Sequence, residues 1–320
     1  MDRSGPVAEL RRAVSAFTVR HQLDDARWCV ALSGGPDSLA LTAVAVALRP
    51  TIALIVDHQL QPGSAEVAES ARRQALHLGC ADARILTVTV GQDGGPESAA
   101  RTARYGALAD ACAGAPVLLG HTLDDQAETV LLGLGRGSGP RSIAGMRPVQ
   151  LPWCRPLLGV RRAITRGACR QLGLDPWWDP HNCDPAYTRA RLRGEVLPLL
   201  EDTLGGGVAE ALARTAAALR EDCDLLDDLA AAELAEATLG DGLDAEKLRT
   251  LPAALRLRVI RAWLLAGGGS GLTDHQIRAV DGLVTAWRGQ GGVAVGAALR
   301  RERLVAVRAK GVVRLRREPA

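Results

Sequence analysis

Four short apolar runs punctuate the first half of the chain: "WCVAL" at 28–32, "TIALIV" at 51–56, "RILTVTV" at 84–90 and "VLLG" at 117–120. Between them lie segments of helical character, at about 37–48, 64–79 and 97–113. Short β-branched runs alternating with helices build βαβ units, because a crossover helix brings the next strand back parallel to the last. The expected fold is therefore α/β, a parallel sheet with helices on both faces. Ligands of such sheets bind beyond the carboxyl ends of the strands. Every polar motif singled out in this half follows one of the four runs.

The pattern changes after Gly205-Gly206-Gly207, a candidate hinge, where Ala/Leu-rich stretches at about 208–239 and 252–266 read as helices. The last part alternates apolar and basic residues around Gly311, as a hairpin would. This gives a sheet domain over 1–204, a helical domain over 205–290 and a basic β-like tail over 291–320 that belongs with the second domain. Residues 221–241 hold eight acids and no base, whereas 300–320 hold eight bases and two acids. The tail suits contact with nucleic-acid phosphates, and the acidic stretch should face away from them. Seven cysteines without a C-x-x-C pair exclude a zinc or iron–sulfur framework and predict reduced thiols. No leader-like or membrane-length apolar run is found, so a soluble, cytoplasmic protein is expected.

Ser33-Gly34-Gly35-Pro36-Asp37-Ser38 sits between the first run and the helix after it. Strand, glycine turn and helix aim backbone amides at one point, which attracts an anion. Gly34 and Gly35 allow close approach, and Ser33 and Ser38 add hydroxyls. Asp37 would repel phosphate unless Mg²⁺ lies between them, since carboxylates and phosphates are its usual ligands. The bland alternative is a βα turn in which Asp37 or Ser38 caps a helix. The loop is not a Walker A motif, which needs a Lys that is absent here.

Beyond the second run stand Asp57 and His58; the histidine suits contact with a nucleotide or base, or a purely structural role. Arg101 and Arg104, at i and i+3, share a helix face. Beyond the fourth run, His121, Asp125 and Glu128 fall at i, i+4 and i+7 and are expected on one face. A carboxylate pair near a phosphate can bind a metal ion or an ammonium group; otherwise it complements the helix dipole. Arg101, Arg104, Arg191 and Arg193 are candidates to stabilise charge developing on a phosphoryl group. Trp177 and Trp178 could stack on a base, though two Trp beside a Pro more often belong to a core.

The Ser-Gly-Gly-Pro-Asp-Ser loop resembles that of the PP-loop ATP pyrophosphatases. With "ESAARTARYGAL" (97–108), "GHTLDDQAETVLLGLGRGSG" (120–139), "RPLL" (155–158) and "WWDPHNCDPAYTRARLRGEVLPLL" (177–200), the chain is similar to the tRNA(Ile)-lysidine synthetases. The resemblance implies ATP and Mg²⁺ as cofactors. It also implies a tRNA(Ile) with a CAU anticodon and free L-lysine as partners, and a homodimer is left open. ATP would adenylate C2 of the wobble cytidine and the lysine ε-amine would displace AMP. Carried onto this chain, ATP falls to Ser33 to Ser38, Asp57 and His58. The metal falls to Asp37, and lysine to His121, Asp125 and Glu128. Catalysis falls to Asp37, Arg101, Arg104 and Arg191. The chain departs from the pattern at Asp179-Pro180-His181-Asn182 and at Ala190. A tRNA thiolase, which would usually need a cysteine pair, and a non-catalytic RNA-binding protein are the rival readings.

Overall fold

A computed structural model describes residues 4–59, 61, 63–91, 95–137, 139–180, 184–296 and 302–319. His181 and Asn182, Leu60 beside His58, Ser138 of the "RGSG" stretch, and Arg300 and Arg301 of the tail lie outside the described residues. The chain divides into two compact units, Met1–Ala218 and Leu219–Ala320.

The first unit is built on the six strands β1 (Trp28–Ala31), β2 (Thr51–Asp57), β3 (Asp82–Thr87), β4 (Val117–Leu118), β5 (Val149–Gln150) and β6 (Trp153–Cys154). Their order is β3-β2-β1-β4-β6-β5, and every pairing is parallel except that of the edge strand β5 with β6. Side chains alternate between the two faces, as the pleat requires. Trp28, Val30, Ala53, Ile55 and Leu118 join one core with helices α1 (Pro6–Arg20), α2 (Pro36–Val46), α3 (Ser64–Leu78) and α7 (Arg162–Gln171). Cys29, Ile52, Leu54 and Val117 join the opposite one beneath α4 (Pro96–Ala111). Both faces are thus covered, as the run-and-helix alternation predicts. The strand order reverses between β1 and β4, which opens a crevice beyond their carboxyl ends. The loop after β1 and helix α5 (Leu123–Gly135) after β4 begin at that crevice.

Helix α6 (Pro140–Ile143) precedes β5; α8 (Thr188–Arg191), a π-helical turn (Leu192–Val196) and α9 (Leu197–Thr203) follow α7. Helix α10 (Val208–Ala237) begins directly after the three glycines, which all adopt positive φ. The division between the units falls within α10, at 218/219.

In the second unit, α11 (Ala245–Thr250), α12 (Ala253–Ala266) and α13 (Asp274–Thr285) pack on a sheet of order β7-β8-β11-β10-β9. Its long hairpin, β10 (Glu302–Ala309) and β11 (Val312–Pro319), turns at Lys310-Gly311. Both turn residues have positive φ, 50° and 80°, the backbone that a two-residue hairpin turn demands. Here β7 is Thr238–Leu239, β8 is Gly242–Asp244 and β9 is Val293–Ala294. Three of the hairpin arginines meet acids of the same unit. Arg303 meets Glu318 at 3.1 Å, Arg317 meets Glu302 at 3.4 Å and Arg314 meets Asp241 at 2.9 Å. No helix among the described residues is long and apolar enough to cross a membrane.

Candidate active site

The phosphate loop has the strand–turn–helix form expected of it. Gly34 holds φ at 80°, and its carbonyl accepts the backbone N–H of Trp177 at 3.0 Å. The hydroxyls of Ser33 and Ser38 lie 3.1 Å apart, and Ser38 Oγ donates to the Gly35 carbonyl at 3.0 Å. No side chain caps α2, so its first-turn amides stay available. The chain after β4 crosses just above them. A Cβ on Gly120 would lie 3.0 Å from the Ser38 nitrogen and 3.1 Å from the Asp37 carbonyl carbon. Glycine at this point leaves open the concavity that a side chain would fill, and the concavity fits a phosphate.

Asp37, on the first turn of α2, is held from α7. Thr165 Oγ1 donates to its Oδ1, and Arg162 Nε stands 3.5 Å from its Oδ2. Burial pushes its pKa above the usual carboxylate range, and Thr165 and Arg162 only partly oppose this. A cation placed here would therefore be well received.

Asp125 divides its two oxygens between the start of α5 and the neighbouring arginines. Its Oδ2 accepts the Thr122 backbone N–H at 2.7 Å and the Thr122 hydroxyl at 2.8 Å, closing a capping box on α5. Its Oδ1 faces outward to Arg162 Nη2 at 2.5 Å and Arg193 Nη2 at 3.4 Å. Burial works against ionisation of Asp125, but Arg162 and the Thr122 N–H outweigh it and keep the carboxyl low. Glu128, one turn on, has a side chain with no exposure. It accepts Arg193 Nε at 2.8 Å, and Arg162 Nη1 at 3.3 Å. Arg162 thus touches Asp37, Asp125 and Glu128, while its own backbone N–H donates to Asp124 at 2.7 Å. A cavity of about 250 Å³ adjoins this network. Asp124, Glu128, Arg161 and Arg193 form its polar side, and Leu197, Pro198 and Ala209 form its apolar side.

His121 is placed differently from expectation. The chain caps α5 at Thr122, so His121 precedes the helix and does not share a helical face with Asp125 and Glu128. It still lies near Asp125, but burial drives its pKa down to about 4. Burial and then Arg104 lower that of His58. Arg101 and Arg104 both stack on Tyr105, at 4.8 and 5.4 Å from the ring centre, and Tyr105 meets Trp153 edge-on at 4.7 Å. Arg104 also acts electrostatically on both histidines, so these residues form a cationic wall beyond β2 and β4. Asp57, at the end of β2, is buried, and its Oδ1 accepts the Gln59 N–H at 2.9 Å.

The depressed His121 pKa has a measurable consequence. The unfolded ring titrates near its ordinary 6.5 and the folded one near 4. Between those values the unfolded chain binds the extra proton, so stability falls as pH drops from about 6.5 towards 4. We expect the urea midpoint of His121→Gln to fall less steeply across that window than that of the parent chain. Equal slopes would remove His121 from the account.

Arg191 is not brought to the carboxylates. It pairs with Glu195 at 3.2 Å, and its side chain is 59% exposed. The π-helical turn that follows it changes the residue count per turn, a feature common at functional sites, and Arg193 on that turn reaches Asp125 and Glu128. Arg162 and Thr165 were not singled out in the sequence. Their one local signal is two arginines opening a helix, the end at which cations are disfavoured. Such a pair implies acids supplied from elsewhere in the fold.

The comparisons with known proteins identify the family. The PP-loop domain family matches residues 8–200, and the TilS substrate binding domain matches residues 243–305. The tRNA(Ile)-lysidine synthase of Mycobacterium tuberculosis H37Rv is 68% identical, covering 100% of both chains. That of Mycobacterium leprae is 64% identical over 100% of both. The one from Rhodococcus erythropolis is 60% identical over 94% of this chain and 93% of its own. Among solved structures, the U34-tRNA thiolase NcsA from Methanococcus maripaludis superposes with a TM-score of 0.54 at 19% identity. That match covers 68% of this chain and 80% of the thiolase, and the likeness is one of fold alone. On a PP-loop match over most of the first unit and full-length relatives at this identity, the chain belongs to the tRNA(Ile)-lysidine synthase family.

Proposed function

We propose that this chain joins free L-lysine to C2 of the wobble cytidine of a tRNA(Ile) with a CAU anticodon, a carbon–nitrogen ligation driven by ATP. The observation that carries the reading is Arg162, whose guanidinium lies against both Asp37 of the phosphate loop and the Asp125–Glu128 pair. Two half-sites, one for a polyphosphate and one for an amine, are thereby joined.

In the first step the cytidine O2 attacks the α-phosphorus and pyrophosphate leaves. The open amides of α2, with Gly34 and Gly35, would cradle the departing pyrophosphate. Asp37 would hold Mg²⁺ together with the phosphates, which fits a carboxylate whose burial raises its pKa. When bound, that ion neutralises charge on the leaving group. Arg101 and Arg104 would stabilise charge on the α-phosphoryl group. Asp57 and His58 border the nucleoside end.

In the second step the lysine ε-amine attacks C2, its proton is lost, and AMP departs with the oxygen. The cavity beside Glu128 offers carboxylates for an ammonium group, guanidiniums for a carboxylate, and an apolar wall for the methylene stem. His121, neutral beside Asp125, borders the amine. Asp125 and Glu128 already carry Arg162 and Arg193, so an ammonium group would have to displace part of that pairing.

The test uses ATP, Mg²⁺, radiolabelled lysine and tRNA bearing a CAU anticodon. Lysine incorporation with matching AMP and pyrophosphate is the expected result. Pyrophosphate release without lysine uptake would move the assignment to another PP-loop chemistry, and no ATP turnover would leave a binding protein.

A further inference from the structure

Trp178 is one of six tryptophans in the chain, and it is 59% exposed. It stands on the rim of the site. Its neighbour Trp177 donates to the Gly34 carbonyl at 3.0 Å, and the Trp177 Cβ lies 3.8 Å from where a Gly34 side chain would begin. Trp178 is therefore pinned one residue from the phosphate loop. The guanidinium of Arg166 lies 5.2 Å from its ring centre. Arg166 is exposed and sits one turn along α7 from Arg162. Among the described residues no carboxylate pairs with it, unlike Arg161, Arg162 and Arg193 around the cavity.

An exposed indole beside a guanidinium that no described carboxylate pairs with gains little for the fold, since cation–π contacts at exposed sites are weak. It does match what recognises single-stranded RNA: an aromatic face for a base, and a cation for the adjoining phosphate. We propose that Trp178 and Arg166 form a stacking platform for an unpaired anticodon-loop base next to the target cytidine. The inference rests on the tRNA reading above. It is not a subsite for the adenine of ATP, whose nucleoside end is allotted to Asp57 and His58 beyond β2.

The probe is a fluorescein-labelled anticodon stem-loop with a CAU loop, titrated by anisotropy without ATP or lysine. Trp178→Ala is expected to weaken binding by about tenfold or more, and Trp178→Phe to recover most of the loss. The KM for ATP should stay within twofold in both. Arg166→Ala should weaken binding and flatten its salt dependence. RNA affinity within twofold of the parent in Trp178→Ala would overturn the platform. So would a raised KM for ATP with RNA affinity unchanged. A parent chain that binds the stem-loop yet incorporates no lysine would sink the ligase reading and leave the platform standing. A parent chain that does not bind it would sink both.

Discussion

Asp37→Ala should lose at least about a hundredfold in turnover, the scale seen when one preorganised electrostatic group is removed from a transition state. It should cost little in stability. Asp37 makes two outside contacts, a bond from Thr165 and a loose approach from Arg162. Arg162 keeps Asp125 and Glu128 when Asp37 is gone. Burial already disfavours the charge on this carboxyl, so its removal relieves a cost as well as breaking contacts. Asp37→Asn, which keeps the shape and the Thr165 bond, should be as inactive as the alanine variant if charge is what matters. Pyrophosphate release with saturating tRNA measures the first effect and urea unfolding the second. A parent-like rate in either variant would eliminate the proposed metal-holding role.

Arg162→Ala should be the most damaging substitution for the first unit, destabilising it by about 3–5 kcal/mol, as for other buried ion pairs cut on one side. The Arg162 side chain is 8% exposed and neighbours three carboxylates. Without it, Asp125 and Glu128 share Arg193 alone, and Asp37 loses its nearest guanidinium. Arg191→Ala is the control: its partner Glu195 is exposed, and pairs of that kind contribute at most about 1 kcal/mol. Urea unfolding of the two variants side by side would decide the matter. Arg162→Ala within 1 kcal/mol of the parent would mean that the network is not what locks α5 to α7.

Much of the first unit was legible because its signals are local. Alternating apolar runs with helices between them dictate a parallel sheet covered on both sides, and the glycine turn after the first run dictates an anion cradle. The Thr122-x-x-Asp125 spacing of a capping box went unread, and it is what moves the start of the helix past His121. Arg162 was not legible, because its partners lie 34 and more residues away and meet it only when α7 packs on α2. The choice between Arg191 and Arg193 depends on a π-helical turn, whose register ordinary helical spacing does not predict. The basic tail was read from its charge count, but most of its described arginines are neutralised across strands or loops of their own sheet. The sequence lists charges, whereas only the paired geometry says which remain available to a polyanion.

Because Asp125 ties down the start of α5 with one oxygen and holds Arg162 with the other, the helix cap and the ion network cannot be retuned separately at that position. On the proposed reading of the cavity as the lysine site, an enzyme meant to accept a shorter or longer amino acid would have to be altered elsewhere. Leu197, Pro198 and Ala209 line the cavity with apolar side chains. Reshaping that wall alters the room for a methylene chain while leaving every polar anchor untouched.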